Sequence, residues 1–564
     1  MQRPMRSMLR RAAARCSLHM PAAQGRAPIA SFDPYRLDTT ELPVTDDLYR
    51  PTGAIAEAER LMAASAGAAA TLMLSGGSTA GVHAMLLYAC RRGEAVVLPR
   101  NAHLSCLNLC AVAGLTPVFA DPAQTAEGRV YTRPEAYARA LDSHPEATAA
   151  FAVRSDYYGL AGDLEGIARE AHARGRLLLC DEAHGAYFNW RADFPNAGAC
   201  GADLYVQSAH KTLPALTPGA WLHASAGIDA ARLRAVLGMV QTSSPGFTVM
   251  LSLDEARAWM DAHGRAACDK LLLAMERFRK KAARLGYADG QADPPEGARY
   301  DRLRLVLRSP RGGAWLQRRL EARGLDVEMF DAQHVVCILS LLDGERRLRR
   351  LLRALEAIAR EAGEPDAPGK VDTGLDPLSA TGVRATRAAR LSADRAGGRE
   401  QPITHGASLS AEQPSADQGR PTPAANPAKR RARVQSSRAF SSEKPPADDF
   451  SAWDTAMARL PGLPNAVRKG KPEAGSVPPL FPSLWPPRRL PIGQAAFAPC
   501  ESLSAEQAVG RISGASVGLY PPGVAWLTAG DEITAETAAL IMGTPREQLF
   551  GLEADGRLRC VLHP

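Results

Sequence analysis

With 564 residues, 46% of them hydrophobic, the chain is too long for one core, and about two to four domains are expected. The formal charge of +8 gathers at Arg3, Arg6, Arg10, Arg11 and Arg15 and at Lys429-Arg430-Arg431-Ala432-Arg433. It lacks the interleaved aromatics or binding module that nucleic-acid recognition needs, so it reads as solvated surface and linker, with no nucleic-acid partner. No apolar run reaches the ~18 residues of a membrane span. The ten cysteines show no CxxC pair and no zinc spacing, which excludes a recognisable metal site and fits a soluble chain in the reducing cytoplasm.

Met1 to Arg26 holds many arginines and alanines and no acid. That composition suits a transit peptide or the first helix of a mature bacterial-type enzyme, and the second reading is preferred for a reason given below. From Thr71 onward short apolar runs alternate with helical stretches. Strands are expected at Thr71–Ser75, Ala95–Leu98, Thr116–Ala120, Ala149–Val153, Leu177–Cys180, Leu204–Gln207 and Gly219–His223. Helices are expected at Gly81–Arg91, Ser105–Ala113 and Leu164–Arg174. Strands separated by helices imply an α/β fold, a mostly parallel sheet covered on both faces that binds ligands beyond its carboxyl edge.

Asp254–Leu285 reads as one long helix or two. Tyr300 to Ala362 reads as a smaller α+β lobe, with strands at Leu303–Leu307 and Val335–Leu341 and helices near Ala314–Arg323 and from Glu345. Composition changes near Gly363, and to Asp449 the chain is rich in Pro, Ser, Ala, Gly and Arg without apolar periodicity, the signature of a disordered linker. Order is expected to return near Leu490 in a compact unit with a Pro521–Gly523 turn and a helix from Thr534. The expected division is 1–50, an N-terminal segment; 51–290, a large cofactor domain; 291–362, the small lobe; 363–449, the linker; and 450–564, a C-terminal domain.

The chemistry-bearing residues lie at strand ends. Gly76-Gly77-Ser78-Thr79 joins a strand to a helix; glycines let amides approach an anion, hydroxyls add donors and the helix N-terminus adds positive potential, so Gly77, Ser78 and Thr79 are candidate phosphate ligands. His103 follows the next strand and either stacks on a ligand ring or is a satisfied structural histidine. Asp181 ends the apolar run Leu177–Cys180, where a carboxylate needs a partner; the alternatives are a helix cap or a surface turn. His184 lies three residues on, beside a ligand or merely lining the cleft. Lys211 follows Leu204–Gln207 after Ser208-Ala209-His210. There Ser208 could donate to a phosphate, and His210 could meet a cofactor or a substrate carboxylate.

An acid and a lysine past neighbouring buried strands are the two groups that pyridoxal 5'-phosphate chemistry requires. The lysine amine condenses with the cofactor aldehyde, and the carboxylate keeps the pyridine nitrogen protonated so that the ring accepts electrons. The reaction is thereby confined to bonds at an amino-acid α-carbon.

These pieces, in this order, resemble the Orn/Lys/Arg decarboxylase family, pyridoxal-phosphate enzymes of fold type I, in its smaller bacterial form. The resemblance rests on Asp38-Thr39-Thr40-Glu41-Leu42, Asp46-Asp47-Leu48, Gly77-Ser78-Thr79 and Arg100-Asn101-Ala102-His103. It continues through Asp181-Glu182-Ala183-His184-Gly185-Ala186, Ser208-Ala209-His210-Lys211-Thr212, Gln241-Thr242-Ser243-Ser244-Pro245 and Ser252-Leu253-Asp254. The C-terminal Gly510-Arg511-Ile512-Ser513, Tyr520-Pro521-Pro522-Gly523 and Gly530-Asp531-Glu532-Ile533-Thr534 resemble that family's C-terminal domain.

Ser17-Leu18-His19-Met20-Pro21-Ala22-Ala23-Gln24-Gly25-Arg26 looks like an early family segment, which favours a first helix over a leader. There the family has glycine-histidine-lysine where this chain has Ala22-Ala23-Gln24. Leu104, Ser155-Asp156 ahead of Tyr157-Tyr158-Gly159, Tyr187, Gly246 and the long linker also depart from its pattern.

The resemblance implies decarboxylation of arginine, lysine or ornithine to the amine. Lys211 would carry the cofactor, Asp181 face its nitrogen and His103 stack on its ring, with His210 or Lys211 returning the proton. Since fold type I sites often lie between subunits, a homodimer or larger homo-oligomer is expected, with no membrane partner. An aminotransferase-like reaction and a regulatory paralogue with decayed activity are the alternatives.

Overall fold

A computed structural model describes residues 4–363, 482 and 485–562, apart from breaks at 29–32, 43, 126, 292 and 520–523. Residues 364–449 of the expected linker, with the basic cluster at Lys429–Arg433, and the Pro521–Gly523 turn lie outside the described residues, while Gly363 ends a helix.

The chain runs α1 (Pro4–Ala13), β1 (Cys16–Leu18), α2 (Ala54–Ala66), β2 (Ala70–Leu74), α3 (Gly77–Ala89), β3 (Ala95–Leu98), α4 (Leu104–Ala113), β4 (Thr116–Phe119), β5 (Pro122–Gln124), β6 (Val130–Thr132), α5 (Pro134–Ser143) and β7 (Ala147–Val153). It continues through β8 (Leu160–Ala161), α6 (Leu164–Ala173), β9 (Leu177–Asp181), β10 (Leu204–Gln207), α7 (Ala209–Thr212), β11 (Ala220–Ala224), α8 (Ala230–Val240) and α9 (Phe247–Arg284).

Seven of these strands form one sheet in the order β2-β11-β10-β9-β7-β3-β4. Its strands are buried on both faces, which is why they read as continuous apolar runs rather than alternating ones. Leu72, Leu74, Val96, Leu98, Phe151, Leu179 and Val206 face one core with α3, α4 and α8. Ala95, Val97, Ala150, Ala152, Leu178, Cys180 and Tyr205 face the other with α5 and α6. The alternation of neighbouring residues between the two cores is the period-two pleat.

As expected of a mostly parallel sheet, one strand runs against the rest. β11 pairs antiparallel with both β10 and β2. The chain reaches it through α7, only four residues long, so it turns back beside β10 rather than crossing over. All the other strands of the sheet point one way. Their carboxyl ends therefore place Ser75, Arg100, Ser155, Asp181 and Ser208 along a single edge.

The long helix α9 starts at Phe247, directly after Pro245-Gly246, and runs unbroken for 38 residues. Its start is fixed by that breaker pair and not by Asp254.

The smaller lobe holds β12 (Ala288–Asp289), β13 (Arg299–Tyr300), β14 (Leu305–Arg308), α10 (Gly313–Glu321), β15 (Leu325–Val327), β16 (Met329–Phe330), β17 (His334–Cys337) and α11 (Gly344–Gly363). A four-stranded antiparallel sheet, β12-β14-β17-β16, forms its centre. The N-terminal segment is bound into this lobe: β1 pairs in parallel with β15. Gln24 Nε2 donates to the Ile338 carbonyl at 2.8 Å, and the Ala22 amide donates to the His210 carbonyl at 2.9 Å.

The C-terminal part holds α12 (Ile492–Ala496), β18 (Cys500–Leu503), β19 (Val517–Leu519), β20 (Val524–Leu527), α13 (Ala535–Gly543), β21 (Leu549–Phe550) and β22 (Leu558–Val561). It docks beside β3 and β4, where the Arg100 guanidinium lies 3.9 Å from the Phe119 ring centre and 4.7 Å from that of Trp485.

The ten cysteines are unpaired, and all but Cys500 are buried. Among the described residues no helix is long and apolar enough to cross a membrane.

Candidate active site

β2 ends at the turn Ser75-Gly76-Gly77. Gly77 has φ +78, a conformation that L side chains rarely adopt, and a Cβ there would touch Pro218 at 3.4 Å. Gln241 Oε1 accepts the amides of Ser75 and Gly76 at 3.0 and 3.2 Å. Ser78 on the first turn of α3 meets Ser208 at the end of β10, Oγ to Oγ, at 2.7 Å. Thr79 is exposed on the same turn. Buried Ser75 Oγ and Gln241 Nε2 lack a partner among the described residues. Hydroxyls and amide donors without acceptors fit an anion such as a phosphate group.

The next strand end supplies His103. Its Nδ1 caps α4, accepting the Ser105 amide at 3.2 Å and lying 2.8 Å from Ser105 Oγ. Burial holds its pKa below the ordinary histidine value, against the pull of Asp181. The structural and the ligand-facing readings of this histidine are thus compatible: Nδ1 serves the helix while the ring lines the cavity.

Asp181 closes β9. Its Oδ1 accepts the Ala183 amide at 3.0 Å, and the residue lines the same cavity. Lys211 lies on α7, and its Nζ is 3.4 Å from His184 Nε2. Burial lowers the Lys211 pKa, while Asp181 works in the opposite direction. His184 is 6% exposed, and burial and then the Lys211 charge drive its pKa well below the usual value. The Nδ1 of His210 lies 3.0 Å from the Gly219 carbonyl.

His103, Asp181, His184 and Lys211 therefore converge on one cavity, which encloses about 730 Å³ including its open mouth. Ser78 and Ser208 form a separate pair, three residues before the lysine in the case of Ser208. A lysine amine, an acid, a flat imidazole and a donor-lined turn suit a phosphorylated aromatic aldehyde. The buried Ser155 Oγ, which lines the cavity without a partner, adds another unsatisfied group for a ligand.

Sequence reasoning left several cavity residues without a role. Asp156 lies at the wall, where burial pushes its carboxyl up to about 6 against the opposing charge of Arg129. Arg129 itself donates to Tyr300 Oη at 2.7 Å and stacks on Tyr158. The Tyr157 ring packs 4.5 Å from the His184 ring. Leu519 and Val524, on the C-terminal strands β19 and β20, complete the wall. Arg304 Nη2 reaches His184 Nδ1 at 3.1 Å. An arginine inside the apolar run Leu303–Leu307 was its available signal; the others are assembled only by the fold.

Comparison with known proteins places these observations. The profile of the Orn/Lys/Arg decarboxylase major domain matches residues 35–293. The uncharacterized protein YaaO of Bacillus subtilis is 34% identical over 358 residues, 62% of this chain and 74% of that protein. The arginine decarboxylase of the same organism is 28% identical over 345 residues, 58% of this chain and 70% of that protein. In fold, the chain is similar to lysine decarboxylase A from Pseudomonas aeruginosa, with TM-score 0.65 at 17% identity, covering 99% of this chain and 81% of that one.

Proposed function

The chain belongs to the Orn/Lys/Arg decarboxylase family, and from that premise we propose that it decarboxylates a basic amino acid, arginine, lysine or ornithine, using pyridoxal phosphate. The observation that carries the reading is the meeting of Lys211 and Asp181, with His103 and His184, in one cavity at the carboxyl edge of the sheet. Bound pyridoxal phosphate supplies an electron sink for the pair released when the bond to the carboxylate breaks.

The residues divide the remaining work. Burial favours the uncharged Lys211 amine, the form that attacks an aldehyde. Asp181, in the same cavity, is the carboxylate that would help the pyridine nitrogen of a bound cofactor keep its proton. Gly77 admits close backbone approach; Ser78, Thr79 and Ser208 offer hydroxyls to the phosphate. His103 would cover one face of the ring. Carbon dioxide leaves, and a proton takes its place on the α-carbon. Lys211 lines the cavity, which supports its amine, once it has taken up the proton that the incoming substrate amine gives up, as the group that delivers a proton to the α-carbon.

The distal cation of the substrate needs an acceptor in a site walled by Leu519, Val524 and Val130. Asp156 is the carboxylate at that wall in addition to Asp181, and we assign it this role. Because fold type I sites often lie between two subunits, we propose that the active form is a homodimer or larger homo-oligomer.

Purified protein given pyridoxal phosphate and labelled arginine, lysine or ornithine should release labelled carbon dioxide from one of them, with the amine as co-product. Keto-acid formation without carbon dioxide would replace this reading with amino-group transfer. Failure to link the cofactor would replace it with a regulatory paralogue.

A further inference from the structure

His184 is held from both sides. Arg304 Nη2 lies 3.1 Å from its Nδ1, and Lys211 Nζ lies 3.4 Å from its Nε2. A guanidinium has donors only and keeps its charge in proteins. His184 Nδ1 therefore accepts, and the single proton of the neutral ring resides on Nε2. That N–H is directed at Lys211 Nζ. An ammonium there would set donor against donor, whereas a neutral amine accepts through its lone pair.

We propose that Arg304 is a positioning residue: it locks His184 as the neutral Nε2–H tautomer, and so keeps one hydrogen-bond donor aimed at the lysine nitrogen that takes up the cofactor. The cofactor clause rests on the function proposed above; the tautomer does not.

The placement of Arg304 supports this. It is 1% exposed, and its carbonyl accepts Arg279 at 2.8 Å while its amide donates to the Asp301 carbonyl at 3.1 Å. Its stem runs against Gly159, where an added Cβ would come within 3.0 Å of Arg304 Cβ and where φ is +84. The small lobe thus delivers a fixed cation to a histidine of the large sheet. The charges acting on His184 come from Lys211, Arg304, His103 and His210, the Tyr157 ring packs against it, and Asp181 lies in the same cavity. A second proton on this ring would face Arg304 and Lys211 together, and burial further disfavours it.

Nitrogen-15 NMR of the full chain labelled at histidine, without cofactor, reads the tautomer directly; the His184 signals are those lost in His184→Gln. The expected spectrum has an unprotonated Nδ1 and a protonated Nε2, unchanged across about pH 5 to 8, where an unperturbed histidine changes charge. A protonated Nδ1, or titration in that window, overturns the proposal. Arg304→Met should mix the tautomers, while burial and the Lys211 charge still hold the ring neutral in that window, and Arg304→Lys, which keeps a cationic donor, should restore the wild-type spectrum. An Arg304→Met protein with unchanged His184 signals also overturns it. If that variant does not fold, the wild-type and Arg304→Lys spectra decide. Cofactor linkage to Lys211, measured separately by absorbance, reports on the proposed function, so the failure of one reading is distinguishable from that of the other.

Discussion

Arg154 Nη1 and Glu182 Oε1 meet at 3.1 Å beneath the site, with side chains 2% and 0% exposed. Arg154 precedes Ser155 and Glu182 follows Asp181, so the pair ties together the ends of β7 and β9 that carry cavity residues. Gln207 Nε2, at the end of β10, donates to the other Glu182 oxygen at 2.7 Å. Three neighbouring strand ends are thereby fixed from behind by one satisfied polar cluster.

Removing one partner of such a pair leaves a buried charge uncompensated, which costs about 3–5 kcal/mol. Glu182→Ala should lower stability by that order in denaturant titrations, and replacing both partners by apolar residues should cost far less. Burial pushes the Glu182 carboxyl from 4.5 up to about 7. Between those values the folded chain holds a proton that the unfolded chain releases, so this contribution to stability is lost as pH rises through the window. A Glu182→Gln protein should lose that part of the slope.

Asp181→Ala should still take up pyridoxal phosphate through Lys211 but turn over roughly a hundredfold or more slowly, because the charge opposing the ring nitrogen is gone. Cofactor absorbance measured beside carbon dioxide release checks this. Unchanged turnover would show that another acid serves the ring.

The lowered Lys211 pKa sets a pH dependence for the cofactor-free protein. The folded amine loses its proton below the ordinary lysine value of 10.5, where the unfolded lysine still holds one. This contribution makes stability rise with pH below 10.5, and the rate of cofactor attachment should level off below 10.5. The time course of cofactor absorbance across pH gives the test; a rate still climbing to 10.5 would contradict it.

Asp156→Asn should raise KM for the basic substrate about tenfold or more, the scale of a lost charge-assisted hydrogen bond, with cofactor linkage intact. Asparagine keeps an acceptor for the Leu160 amide, which Asp156 Oδ1 binds at 2.7 Å. In the wild type, substrate binding should weaken as pH falls through about 6, where Asp156 gains its proton, and the variant should lack that response. Steady-state kinetics across pH decide.

Much of the fold was legible because each strand is buried on both faces. The Leu177–Cys180 and Leu204–Val206 runs are apolar throughout, and each is followed by a polar residue, Asp181 or Gln207, toward the sheet edge. The mostly parallel sheet was legible, but which strand runs against the others was not, because the apolar run Ala220–Ala224 carries no information about whether the chain crosses over or turns back. The start of α9 was misplaced for a different reason: Pro245-Gly246 outweighs the acidic residue at Asp254 as a helix boundary. The candidate lysine, acid and histidines were readable from strand-end position. Their partners were not, because Arg154 and Glu182, Arg304 and His184, and Gln241 and Ser75 are far apart in sequence and are paired only by tertiary structure.

The central claim is that pyridoxal phosphate is joined to the Lys211 amine. Borohydride reduction of the cofactor-loaded protein, followed by peptide mass mapping, tests it most directly. The account predicts one reduced pyridoxyl adduct, on the peptide holding Lys211, and none in Lys211→Ala. An adduct on another lysine, or an undiminished one in Lys211→Ala, would contradict it.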